Sequence, residues 1–418
     1  MAASGNPESI DDVDVFAPET IENWYPTYEL LQNECPVYHV PGTQTYFLTR
    51  YEEIYEVLRR TELFKRGAGQ SRPQLRDEEA ASYHAEHGWP KALPLAVNPP
   101  EHRRWRDMVD HFFSVAGAEA QRELITRTVN DLIDEWIDDG EVEFLSAFAG
   151  PLPSRVITTM MGFPHSDLDQ LKVWSEAWVA PYSLQLTAEE EREVVRLQVE
   201  FQAYIADHIA DRRKNPGDDV VSHLVHTPVQ LTTGARPLTD GEIINIVDHL
   251  YIGGNETTTF ALTSGMWLGV QHPEILEQIH DDPSIARRWV DEVLRLESPT
   301  QGMDRHTAED TELGGVPIPK GSHVHIRYAA ANRDPDQFGC PADIDLERAN
   351  GHRHFAFSIG ESHCPGAGLT RLEQTIAWQE LTRRLTNVGF AEGKNTFHHA
   401  VNFTLRAFEG LHITFDRR

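Results

Sequence analysis

Cysteine is scarce in this chain. Cys35, Cys340 and Cys364 are the only three in 418 residues, an odd number at wide spacing. That argues against a disulfide framework or a zinc cluster and fits a reducing cytoplasm. Positive charge is also short: 37 Lys and Arg stand against 66 Asp and Glu, a formal net charge of −29. Nucleic acid and anionic membrane surfaces need a basic face, so neither is expected as a partner, and the acidic surface is read as serving solubility. No apolar run reaches the roughly 18 residues that a membrane span needs. The opening MAASGNPESIDDVDVF lacks the basic and apolar regions of a signal peptide, and residues 1–20 read as a loose polar leader. Linkers, internal repeats and low-complexity tracts are lacking too. The length would allow two or three domains at roughly 150 residues each, but residues 21–418 read as one, mainly α with a minor β-sheet region.

What is present is helical periodicity. YEEIYEVLRR (51–60) and AQRELITRTVNDLIDEWIDDG (120–140) have the spacing of amphipathic helices, and TYFLTR (45–50) alternates like a strand. Residues 66–98 read as a long loop with at most one short helix, a length that in a compact domain is often functional. Thr187 with Glu190 and Thr239 with Glu242 form capping boxes. The first precedes a long helix over 189–215, the second a helix running to about 271. In that second helix Ile243, Ile246, Leu250, Tyr251, Phe260, Leu262 and Trp267 leave no consistently polar face, as in a helix buried in the middle of a protein. Further helices are expected over 276–297 and 366–386, and strands over 311–330 and 398–415.

Three segments carry candidate chemistry. The first is GGNETT (253–258) in the buried helix. Two glycines there cost roughly 1 kcal/mol each relative to alanine, and Thr257 can bond back to a carbonyl, so a widened or kinked turn is expected. The segment reads either as a close helix crossing or as a groove with an acid, Glu256, and an alcohol, Thr257, set for proton delivery. The second is the pair Glu292 and Arg295, three apart on a helix, a spacing that most often marks a solvated surface pair. The third is FSIGESHCPG (357–366), with Cys364 just before a helix start. Backbone N–H groups and the helix dipole there favour thiolate, and the flanking glycines let the backbone approach a flat cofactor. The plainer alternative is a small buried cysteine in a turn.

Taken in order, these segments resemble the cytochrome P-450 superfamily, in its soluble bacterial branch, from about residue 20 to the C-terminus. PPEHRRWR (99–106) is similar to that family's C-helix start, GGNETT to its acid–alcohol motif and EVLR (292–295) to its K-helix motif. ANRDP (331–335) and DLER (345–348) are similar to its meander, and FSIGESHCPG, followed by GLTRLE (368–373), to its haem loop. The resemblance implies a single large haem-thiolate monooxygenase fold. It also implies haem b (iron protoporphyrin IX) on an axial thiolate from Cys364, a ligand that favours O–O cleavage. Phe357 would shield the sulfur, Gly366 would border the cofactor, and Glu256 and Thr257 would relay protons to dioxygen. His102, Arg106 and Arg305 would neutralise the propionates, and Glu292, Arg295 and Arg348 would form a structural network. Substrate contacts would come from 66–98 and 165–188, from Leu250 and Gly253, from Thr300 to Met303, and from Phe403 and Thr404. Such side chains suit a mostly apolar small organic guest.

The chain departs from the family pattern at four places. Ser362 stands where His or Arg is usual, with His363 one place later, so one propionate contact is open and His363 is a candidate for it. Ser358 stands for glycine, Thr370 for alanine and Asn98 for aspartate.

No ferredoxin-like cysteine cluster or flavin domain is evident, so electrons are expected from a separate ferredoxin or flavodoxin served by an NAD(P)H reductase. Hydroxylation and O-dealkylation both suit the expected monomeric, cytoplasmic enzyme. A basic patch of Arg103, Arg104 and Arg353 is a candidate docking face for an acidic redox protein. Two rivals share Cys364. A peroxide-driven peroxygenase generally lacks the acid–alcohol pair, and a non-catalytic haem-binding sensor has no need of one.

Overall fold

A computed structural model describes residues 7–67, 76–90, 97–183 and 186–418. The parts of the 66–98 loop and of the 165–188 region that fall on 68–75, 91–96 and 184–185 lie outside the described residues. The apolar helix forms the axis of the molecule. It is α5 (Asp240–Gln271), and it packs against α2 (Pro151–Met161), α3 (Leu168–Val179), α4 (Ala188–Arg212), α6 (Ala286–Leu296) and α7 (Ala367–Arg384). A helix surrounded in this way has no face to leave polar, which is why its sequence shows none. Both capping boxes close as read: Thr187 and Thr239 accept from the backbone of Glu190 and Glu242, and each glutamate accepts in return. Among the described residues no helix is long and apolar enough to cross a membrane.

Several boundaries differ from expectation. The 276–297 helix is two, Pro273–Asp281 and α6, because Asp282 caps a short turn that starts at Pro283. The 120–140 helix stops earlier, at Asp134. In the tail only His412–Arg417 is a strand; upstream of it, isolated bridges join Thr300 to Leu405 and His399 to Phe408. Within the stretch read as a loose leader, Val15 is buried and Pro18–Glu22 is helical. The widened turn expected at 253–258 is absent, and α5 runs through it unbroken.

A five-stranded sheet flanks the helices. Its order is β1 (Val37–His39), β2 (Thr45–Leu48), β5 (His323–Ile326), β4 (Met303–Thr307) and β3 (Phe64–Lys65), with β2 and β5 parallel and the other pairs antiparallel. The register matters for function. Lys65 pairs with His306, so Arg66, the next residue, comes out beside Arg305 at the sheet edge.

Candidate functional site

The two glycines of α5 answer to different needs. A Cβ at Gly254 would lie 3.1 Å from the Ile157 side chain of α2, so this glycine serves a close helix crossing. A Cβ at Gly253 would meet nothing within 4 Å, and Gly253 is exposed while Tyr251, Ile252, Asn255 and Glu256 are buried. One face of the helix is therefore open in mid-length. Thr257 stands on it, its hydroxyl donating to the Gly253 carbonyl at 2.9 Å. Glu256 turns elsewhere. Its carboxylate accepts a short bond from Ser175 Oγ on α3 and a 3.2 Å bond from Asn255 Nδ2. Burial pushes this carboxyl up to about 7, a range in which it can hold or lose a proton near neutrality.

The cysteine loop reaches α5 through a pair of hydroxyls. Thr370 Oγ1 on α7 lies 3.3 Å from Thr258 Oγ1, next to Thr257. Cys364 is fixed by its own N–H, which donates to the Phe357 carbonyl at 2.8 Å. Burial pushes its thiol up, while backbone N–H bonds from Gly366 and Ala367 and the Arg106 and Arg371 charges pull down. Phe357 is buried, and the Arg371 guanidinium stands 4.4 Å from its ring centroid. Ser358 has φ +54, a left-handed conformation that a glycine adopts without strain. The Ser358 hydroxyl is held there by a 3.1 Å bond from Tyr328 OH.

Cations converge on the two residues before Cys364. Arg106, on α1 (Glu101–Asp107), donates to the His363 carbonyl at 2.7 Å and to Asp110 at 2.5 Å. Arg305 donates to Ser362 Oγ at 3.3 Å, and among the described residues no carboxylate pairs with it. His102 is buried on α1. What burial it has, together with Arg371 and Arg106, holds the His363 imidazole below its ordinary value. Among the described residues no three His, Cys, Asp or Glu side chains gather as a metal site. The cations gathered at Ser362 and His363 suit a group that carries negative charge.

Beneath the loop lie two polar networks. In the first, Glu292 accepts two 2.8 Å bonds from Arg295, and Arg348 Nε lies 3.3 Å from the same carboxylate. Arg295 is wholly buried and also donates to the carbonyls of Asn332, Pro341 and Asp343. The second escaped the sequence reading. Asp291 accepts from His354 at 3.3 Å, Arg371 at 3.0 Å and Arg287 at 2.8 Å. Burial works to raise its carboxyl, but these partners outweigh it and hold the group well below the usual range. Asp291 precedes the EVLR motif without a signal of its own, and nothing local marks Arg371 as the residue facing Phe357.

The proposed substrate contacts separate. Thr300 and Thr404 come together, since Thr300 bridges Leu405 and Gln301 N donates to the Thr404 carbonyl at 2.7 Å. Met303 is exposed and Leu250 buried. Phe403 packs into a cage of Phe16, Trp24, Phe47 and His325 around the buried Arg327. In the presumed redox patch, Arg103 pairs with Asp107 and Asp110, and Arg104 with Glu101.

Comparison with known proteins adds to this geometry. The Cytochrome P450 family model matches residues 169–386. The biotin biosynthesis cytochrome P450 of Bacillus subtilis (strain 168) is 30% identical over 403 residues, covering 95% of this chain and 98% of that protein. The mycinamicin IV hydroxylase/epoxidase of Micromonospora griseorubida is 32% identical over 369 residues, 86% of this chain and 88% of the other. Among solved structures, P450BioI in complex with hexadec-9Z-enoic acid ligated acyl carrier protein superposes with a TM-score of 0.84 at 29% identity, over 96% of this chain and 99% of that one.

Proposed function

The chain belongs to the cytochrome P450 family and is an oxidoreductase of the monooxygenase class, and on that premise we propose that it holds haem b at Cys364 and oxygenates a mostly apolar small organic substrate. The residues fit the group. Cys364 stands just before the start of α7 with its N–H on the Phe357 carbonyl, guanidinium groups gather at Ser362 and His363 where propionates would find cations, and Gly253 leaves α5 without a side chain. The observation that carries the reading is Cys364, held by its N–H on the Phe357 carbonyl just before α7, the helix whose Thr370 meets Thr258 of the acid–alcohol helix.

When bound, haem supplies the activation of dioxygen, one atom entering the substrate and the other leaving as water. The protein's own groups do the rest. Phe357 keeps water from the sulfur, with Arg371 across its ring. His102, Arg106 and Arg305 offset the propionate charge. Thr257 holds a proton at the open face of α5, and Glu256, buried behind that face and steadied by Ser175, is the acid beside it. Glu292, Arg295 and Arg348 hold the segment under the loop. Substrate is placed against Leu250, Gly253, Thr300, Met303 and Thr404, whereas the Phe403 ring stiffens the turn from behind. Electrons come from a separate ferredoxin or flavodoxin with an NAD(P)H reductase, and either hydroxylation or O-dealkylation suits the site. The hexadec-9Z-enoic acid of the P450BioI complex is an apolar guest of the same general character.

Optical titration of the purified protein against a compound panel tests the reading, since a guest that displaces water from iron shifts its spin state. A colourless wild-type protein, or a Cys364→Ser variant with an unchanged spectrum, overturns it. Thr257→Ala should consume reductant without matching product; tight coupling in that variant would overturn the assignment of Thr257 to proton delivery.

A further inference from the structure

Two of the four departures from the family pattern, Asn98 and Ser362, meet at one residue that no motif marks. The Asn98 side chain brackets the peptide of Arg66. Its Oδ1 accepts from Arg66 N at 2.8 Å, and its Nδ2 donates to Arg66 O at 3.0 Å. An aspartate could make the first bond but has no proton for the second. At its other end Arg66 donates through Nη2 to Ser362 Oγ at 2.7 Å. Arg305 reaches the same oxygen at 3.3 Å from the neighbouring strand. A histidine or arginine at 362 would extend into the space that the Arg66 guanidinium takes.

We propose that Arg66 is a propionate-binding residue of the haem, supplying from the sheet edge the cation that position 362 lacks. The proposal rests on the haem reading above. Register brings Arg66 beside Arg305 through the pairing of Lys65 with His306. Asn98 fixes its backbone on both sides, so the side chain is aimed before any ligand arrives. Its surroundings suit an anion: burial, followed by the Arg305 charge, holds the guanidinium down to about 10, with Arg106 adding to the effect. It stays charged at neutral pH. Arg66 and Arg305 bring two guanidinium groups to one neutral hydroxyl, and a carboxylate received there would take a charge-assisted bond from each.

The test uses the purified haem protein and reads haem transfer to an excess of a haem-scavenging protein, together with the reduction potential. Arg66→Ala should release haem about tenfold faster or more, the loss expected for one charge-assisted bond, and its potential should fall as a cation leaves the cofactor. Ser362→Arg added to Arg66→Ala should recover most of the retention, although it cannot rebuild the Asn98 bracket. Arg66→Lys, which keeps the charge without the fork, should fall between. Arg196→Ala, an exposed cation on α4, should release haem at the wild-type rate. Haem held by Arg66→Ala as tightly as by the wild type overturns the proposal while leaving the haem reading intact. A loss that Ser362→Arg fails to recover, while Arg66→Lys is as leaky as Arg66→Ala, also overturns it and assigns Arg66 a purely structural part. A wild-type protein without haem overturns both readings.

Discussion

Arg295 and Arg305 are both buried, yet their surroundings differ in kind. Arg295 sits against the Glu292 carboxylate and donates to three backbone carbonyls, so its charge and its donors are answered within the protein. Arg305 shares a serine hydroxyl with another arginine and has no carboxylate partner among the described residues. Taking a guanidinium out of water costs several kcal/mol unless an anion and good hydrogen bonds offset it. The first arrangement is complete in the polypeptide, whereas the second suits a site completed by an anionic guest. The contrast separates an arginine whose charge is answered by a carboxylate inside the protein from one that no carboxylate meets among the described residues.

The contrast can be broken from its strongest side first. Glu292→Gln should cost about 3–5 kcal/mol of stability, because it leaves the Arg295 charge buried without its counterion; urea unfolding of the variant measures this. A loss under 1 kcal/mol would mean that the carbonyls alone suffice. Glu256 is next, a carboxyl buried beside hydroxyl and amide partners with no guanidinium bonded to it. Its value rises from 4.5 unfolded to about 7 folded, so between these pH values the folded state binds more protons than the unfolded one. Stability contributed by this group therefore falls as pH rises through that window and levels off above it, by about 3 kcal/mol at most. Glu256→Gln should erase that slope. Urea midpoints of variant and wild type across pH 5–8 are the check, and their difference isolates Glu256 from Glu373, another buried carboxyl pushed up to about 8.

Smaller effects sharpen the comparison. Arg305→Ala should leave the stability of the apoprotein unchanged or slightly higher, since it relieves repulsion with Arg66, yet weaken haem retention by about 1.5–3 kcal/mol. Haem transfer and apoprotein unfolding, measured side by side, would separate the two. Equal losses in both would place Arg305 with Arg295 after all. At the bottom of the scale, Arg103→Glu breaks only exposed pairs with Asp107 and Asp110 and should change stability by less than about 1 kcal/mol. The salt dependence of electron transfer should barely move, because neighbouring acids already offset this patch; a large drop in rate would restore it as the docking face.

Local signals were readable in the sequence and long-range ones were not. The capping boxes at Thr187 and Thr239 placed two helix starts, because a cap is decided within four residues. The missing polar face of 240–271 placed the central helix, because it reports packing on all sides. Pro283 breaks a helix that the periodicity carries through it, and the turn at Gly253 and Gly254 stays within an unbroken helix. No local signal marks Arg66, because its partner Ser362 lies 296 residues away. The departures at Asn98, Ser358, Ser362 and Thr370 were visible as oddities, but their partners Arg66, Tyr328 and Thr258 could be named only in three dimensions.

Gly253 carries one more consequence. A side chain at 254 would strike α2, but at 253 it would project into open space from a continuous helix. Glycine there forgoes about 1 kcal/mol of helix propensity relative to alanine, so what it provides is room rather than backbone freedom. Position 253 is accordingly a dial for engineering. Alanine should stiffen the helix and fill the open space by a methyl, and larger residues should fill it step by step. The neighbouring position offers no such adjustment.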